Sequence, residues 1–66
     1  MTAMFYMIAY TIRYDEEIYE EKFVNADDMR DYYEESGMAD NDLVEDVWFY
    51  RKDERGIWVD FNPAWL

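Results

Sequence analysis

MFYMIAYTIRY, residues 4–14, decides the fold, because it alternates like a strand and is apolar on both faces. Tyr6, Ile8, Tyr10, Ile12 and Tyr14 fall on one side, and Phe5, Met7, Ala9, Thr11 and Arg13 on the other. A period of two marks a β-strand. Apolar residues on both sides suit a strand in the middle of a sheet better than one at its edge.

Working outward, Asp15-Glu16-Glu17 makes a polar turn and Ile18–Val24 reads as the returning strand. Tyr19, Glu21 and Phe23 share one parity, and Ile18, Glu20 and Lys22 the other. The hairpin register decides which set faces the core, and a one-residue slip exchanges them. Asn25 then offers an N-cap, with Asp27 and Asp28 in a first turn where the helix dipole favours anions. The helix is predicted over Ala26–Ser36, with Gly37 as its stop. Ala26, Met29 and Tyr33 form its buried stripe, with Tyr32 beside them.

Residues 38–46 read two ways. Either Asp40 caps a short second helix, at 40–46, carrying Leu43, Val44 and Val47, or the stretch is loop. Val47–Lys52 is predicted to be a strand. Asp53-Glu54-Arg55-Gly56 follows as a four-residue hairpin loop, its glycine at the left-handed position. Ile57–Phe61 returns. If Lys52 pairs with Ile57, then Trp48, Tyr50, Ile57, Val59 and Phe61 share the core face, and Phe49, Arg51, Trp58 and Asp60 the other. Pro63 supplies no ladder donor and ends the strand, and Ala64-Trp65-Leu66 is apolar enough to pack back. The expectation is a single α+β domain over residues 1–66. Its order is β-β-α-β-β, an antiparallel sheet with helix on one face.

The chain is small, at 66 residues, and has neither cysteine nor histidine. Disulfide staples, thiolate metal sites and imidazole acid–base chemistry are therefore excluded. Only two glycines are present, so there is no glycine-rich phosphate loop. These absences, and a length that rarely encloses a cleft, predict a protein that is not an enzyme and takes no cofactor. An aromatic content of 21% argues for a packed core and against disorder. The apolar N-terminus lacks a basic flank and is too short to span a bilayer. A cytoplasmic location is expected.

Charge is segregated. Residues 15–46 carry fourteen acids against Lys22 and Arg30, a net of −12, while the whole chain stands at −11. Such crowding costs stability through self-repulsion. Asp27, Asp31 and Glu35 follow at i, i+4 and i+8, flanked by Asp28 and Glu34. Like charges at that spacing destabilise a helix by roughly 0.2–0.5 kcal/mol per pair. Glu34 and Glu35 also lie where the dipole favours cations, and breaks of local rules gather at functional sites. The excess continues through Glu20 and Glu21 before the helix and Asp40, Asp42, Glu45 and Asp46 after it. These eleven residues are the candidate partner-binding set. Asp40, Asp42, Glu45 and Asp46 also invite comparison with a calcium loop. The glycine and terminal glutamate such a loop needs are replaced by Glu45 and Arg51, so no metal site is assigned.

Carboxylates ~5–6 Å apart along a helix form a track comparable with phosphates recurring every ~3.4 Å along a nucleic-acid strand. A chain this acidic is repelled by nucleic acid and by anionic lipid. Its expected partner is a basic, nucleic-acid-binding protein. On the non-core side, Phe49 and Trp58, with Tyr10 or Tyr19, read either as cover for a thin core or as the centre of an interface.

In size, in these two acidic clusters and in lacking cysteine and histidine, the chain resembles the small acidic inhibitors of phages and mobile elements. These include anti-CRISPR proteins, anti-restriction proteins and uracil-DNA glycosylase inhibitors. The resemblance implies an inhibitor that occupies the nucleic-acid groove of a host defence or DNA-processing protein, a CRISPR effector complex first among them. It would act in the host cytoplasm as a monomer or weak homodimer. The alternative is a non-inhibitory interaction module or accessory subunit docking on a basic partner.

Overall fold

The computed structural model describes residues 3–66. Four strands, β1 (Tyr6–Ile12), β2 (Ile18–Phe23), β3 (Val44–Lys52) and β4 (Trp58–Asp60), form one antiparallel sheet in the order β2-β1-β3-β4. Helix α1 (Ala26–Glu35) lies between β2 and β3 in sequence and packs against β1 and β2. The expected α+β arrangement of two hairpins around one helix is the one observed. β1, apolar on both sides, is central and pairs with β2 and β3.

The register settles the faces. Tyr6, Ile8 and Tyr10 of β1 stand beside Phe23, Glu21 and Tyr19 of β2 and Arg51, Phe49 and Val47 of β3. That side meets the helix. Ile8, Met29, Met38 and Phe49 are its buried centre. Rings close around them: Phe23 on Tyr32 (5.4 Å), Tyr6 on Phe61 (5.5 Å), and Phe49 between Tyr33 (5.3 Å) and Trp65 (5.5 Å). The C-terminal residues do pack back, through Trp65, while Leu66 stays exposed.

The helix obeys its local signals. The Asn25 side chain accepts from the Asp28 N–H at 2.8 Å, and Gly37 takes a left-handed φ of 68° past the C-cap Ser36. Of the predicted stripe, Met29 is fully buried, and Tyr32 and Tyr33 are half-buried.

Three expectations are corrected. Of the two readings of residues 38–46, the helix over 40–46 is not formed. A single 3-10 turn, Met38–Asp40, follows Gly37, and β3 begins at Val44, three residues before the predicted Val47. The extension includes a bulge: Thr11 faces Asp46 and Ile12 faces Val44, so Glu45 is the extra residue.

The second correction is the hairpin register. Lys52 pairs with Trp58, not Ile57. The Asp53 N–H donates to the Ile57 carbonyl at 2.9 Å, leaving a three-residue loop with Gly56 at φ 78°. The Asp53 carboxylate accepts from the N–H groups of Arg55 (2.8 Å) and Ile57 (3.0 Å), which fixes this shorter loop.

The third correction follows from the second. Phe49 belongs to the core, whereas Trp48 and Tyr50 join Trp58 on the sheet face away from the helix. Tyr10 and Tyr19 lie on the helix side, stacked at 5.5 Å. Of the four aromatics expected on the non-core side, only Trp58 is there.

Candidate partner-binding surface

Topology gives the molecule an acidic end. β1 finishes at Ile12 and β2 starts at Ile18, so the turn holding Asp15, Glu16 and Glu17 sits at the end of the sheet where β3 begins. The Arg13 N–H donates to the Leu43 carbonyl at 2.7 Å and ties the two segments together. Helix α1 starts after Phe23, at the opposite end, and runs towards Val44. It therefore delivers Glu34 and Glu35 to the same end as Asp40, Asp42, Glu45 and Asp46. Lys22, Arg51, Lys52 and Arg55 lie at the other end with Asp27, Asp28, Asp53, Glu54 and Asp60, so that end is nearly neutral, while Arg13 is the base at the acidic end. The charge segregation of the sequence thus becomes a polarity along the strands.

All eleven candidate residues are exposed: Glu20, Glu21, Asp27, Asp28, Asp31, Glu34, Glu35, Asp40, Asp42, Glu45 and Asp46. They do not form one face. Asp27, Asp28, Asp31, Glu34 and Glu35 line the helix, and Glu21, opposite Ile8, stands on the same side of the sheet. Glu20, opposite Ala9, and Asp46, opposite Thr11, stand on the other side. Asp40, Asp42 and Glu45 fill the rim between.

Missing from the set are Asp15, Glu16 and Glu17, which the fold adds to the acidic end. Their signal was present in the acidic run, but only the β1–β3 pairing shows where the turn lies.

The last-turn glutamates are not alike. Glu34 is paired with Arg30, Nε to Oε1 at 3.1 Å, the one ion pair among the described residues. That offsets part of its unfavourable placement, although an exposed i,i+4 pair contributes only about 0.3–0.5 kcal/mol. Glu35 has no such partner among the described residues. Near the turn, the Tyr19 hydroxyl donates to Asp15, which also accepts from the Glu17 N–H at 3.0 Å. The Tyr19 bond, then the Glu17 bond, hold the Asp15 carboxyl below the usual range, and the same Asp15 contact pushes Tyr19 up to about 12. Burial, with the Tyr10 hydroxyl beside it, pushes Tyr32 up to about 12 as well.

Among the described residues no group of three or more carboxylates converges as a metal site. None of their helices is long and apolar enough to cross a membrane.

The sheet face away from the helix is the second exposed feature. Met7 and Ala9 form its buried floor. Trp48 (39% exposed), Tyr50, Trp58 and Ile18 (63% exposed) rise around a hollow of about 370 Å³ that Glu20 also lines. Lys52, cross-strand from Trp58, holds its ammonium 5.0 Å from that ring's centroid. Compared with family models, with curated proteins and with solved structures, the chain matches none.

Proposed function

We propose that this protein is an inhibitor that places its acidic helix and acidic end in the basic nucleic-acid groove of a protein or ribonucleoprotein complex. The supporting observation is the exposure of all eleven candidate carboxylates, of which only Glu34 has an ion-pair partner among the described residues. Unpaired surface carboxylates repel one another, and the charge polarity along the strands steers the acidic end first towards a positive groove. The groove's own ligand is a polyanion, so a rigid row of carboxylates competes for the same lysines and arginines.

Among such targets, an RNA-guided CRISPR effector complex of a bacterial host is the one we put first, with action in the host cytoplasm. The protein itself has no affinity for nucleic acid in this reading, and it performs no catalysis. Purified effector complexes, challenged with labelled target DNA in the presence of the protein, test this. Loss of DNA binding by at least one complex is expected. Retention of DNA by every complex, or a mobility shift of DNA by the protein alone at physiological salt, overturns the proposal.

The hollowed aromatic face favours a second reading, an accessory module that docks stably on a basic partner. Capture of a partner whose nucleic-acid binding is unaffected would select it.

A further inference from the structure

Register places three residues in a row across the open sheet face: Glu20 on β2, Ala9 on β1 and Trp48 on β3. Adjacent strands lie ~4.8 Å apart, so the backbones carrying Glu20 and Trp48 are roughly 10 Å apart, with only a methyl group between them. On one side the next row is Lys22, Met7 and Tyr50, of which Lys22 lies outside the lining of the hollow, and Trp58 closes the wall from β4; Ile18 stands on the other side. The result is the hollow of about 370 Å³, with a carboxylate on one wall and aromatic rings on the facing one. Glu20 has no ion-pair partner among the described residues.

We propose that this hollow receives an arginine side chain of the protein's basic partner, its guanidinium stacked on Trp48 and held by Glu20. Cations lie favourably over indole faces, arginine more often than lysine. A planar guanidinium also fits between a ring and a carboxylate, which it meets with paired N–H donors. Trp58 already hosts an ammonium, that of Lys52, so the guanidinium is assigned to Trp48 rather than to Trp58. A net charge of −11 favours a basic partner. The assignment rests on the proposed function in one respect only, the basic character of that partner, and it adds an anchoring site on the face opposite the acidic helix.

The test uses small probes and so does not depend on the partner. N-acetyl-arginine methylamide, its lysine counterpart and the uncharged citrulline counterpart are titrated into the whole protein. The indole N–H resonances of Trp48, Trp58 and Trp65 are followed by NMR. Trp65 serves as control, since it packs on Tyr33 and Phe49 in the core. Saturable shifts at Trp48 and Trp58 with the arginine probe are expected, with weaker ones for lysine and none for citrulline.

Glu20→Gln should weaken the arginine response about two- to fivefold. Ala9→Leu, which fills the floor from the open side, should abolish it. If Ala9→Leu fails to fold, Trp48→Phe replaces it, with a loss of about two- to fivefold read at Trp58. Equal shifts with citrulline, stronger binding of lysine, or an unchanged response in both Glu20→Gln and the floor or ring variant overturns the assignment. The variant Asp27→Lys/Asp31→Lys/Glu35→Lys keeps the response. A failed hollow therefore leaves the helix reading standing, and a failed competition at the helix leaves the hollow standing.

Discussion

Replacing Phe49 or its neighbour Trp48 by alanine reads the face assignment directly, because the two side chains point to opposite sides of β3. Phe49 is 9% exposed and sits edge-on to both Tyr33 and Trp65. Truncating a buried phenylalanine costs about 3–5 kcal/mol, part of it the cavity left behind. A domain of this length holds roughly 3–10 kcal/mol in total, so Phe49→Ala should remove most of the stability. Trp48 is 39% exposed on the open face. Water fills the space its ring leaves, no cavity persists, and the loss should be about 1–2 kcal/mol. Urea unfolding followed by far-ultraviolet circular dichroism measures both. Phe49→Leu supplies a value on the core side if Phe49→Ala is already unfolded in water. Its expected cost is about 1–3 kcal/mol from two lost ring contacts. A Trp48→Ala cost equal to or above that of Phe49→Ala would refute the face assignment and restore the four-residue hairpin loop.

Thr11→Val should stabilise the protein by about 1 kcal/mol, because the buried Thr11 hydroxyl has no hydrogen-bond partner among the described residues; thermal melts check the sign. Asn25→Ala should cost about 1 kcal/mol through loss of the cap on Asp28, read in the same melts. In alkaline titration at 295 nm, Tyr19 and Tyr32 should ionise late, near 12. Their pKa values are raised on folding, so the native state holds these protons after the unfolded chain releases them near 10. The associated stability is complete below pH 10 and is lost as pH rises towards 12. Tyr32→Phe should flatten that decline.

Much of the fold was legible because several signals agreed. β1 announced a central position by being apolar on both faces, and Asn25 and Gly37 bracketed the helix within one residue. The second hairpin was not legible from its own residues. Asp53-Glu54-Arg55-Gly56 suits a four-residue loop and a three-residue loop with a left-handed glycine equally well, and the choice shifts the register by one. Alternation usually breaks such a tie. On β3 it does not, since Trp48 and Tyr50 on one side are as apolar as Val47 and Phe49 on the other. The carboxylate network of Asp53, which favours the shorter loop, depends on geometry that appears only in the folded chain. The candidate surface shows the same division. Exposure of Asp27, Asp31 and Glu35 follows from helical spacing. The meeting of Asp15–Glu17 with Asp40–Asp46 requires the β1–β3 pairing, which lies outside local pattern. Glu20 read as one more acid in a run, and only its place opposite Ala9 separates it from Glu21.

The most direct measurement is DNA displacement from a purified RNA-guided effector complex by the native protein and by Asp27→Lys/Asp31→Lys/Glu35→Lys, in parallel, across a salt series. The variant should fold as well as the native chain. Losing Asp27 from the first turn costs about 0.3–1 kcal/mol, and placing a lysine at position 35 returns a similar amount. The native protein should displace DNA at low salt, with the concentration needed rising about tenfold or more as exposed charges are screened. The folded variant should not displace it at any salt. Displacement by the variant at native concentrations, or displacement by the native protein that ignores salt, would contradict the acidic helix as the competing surface.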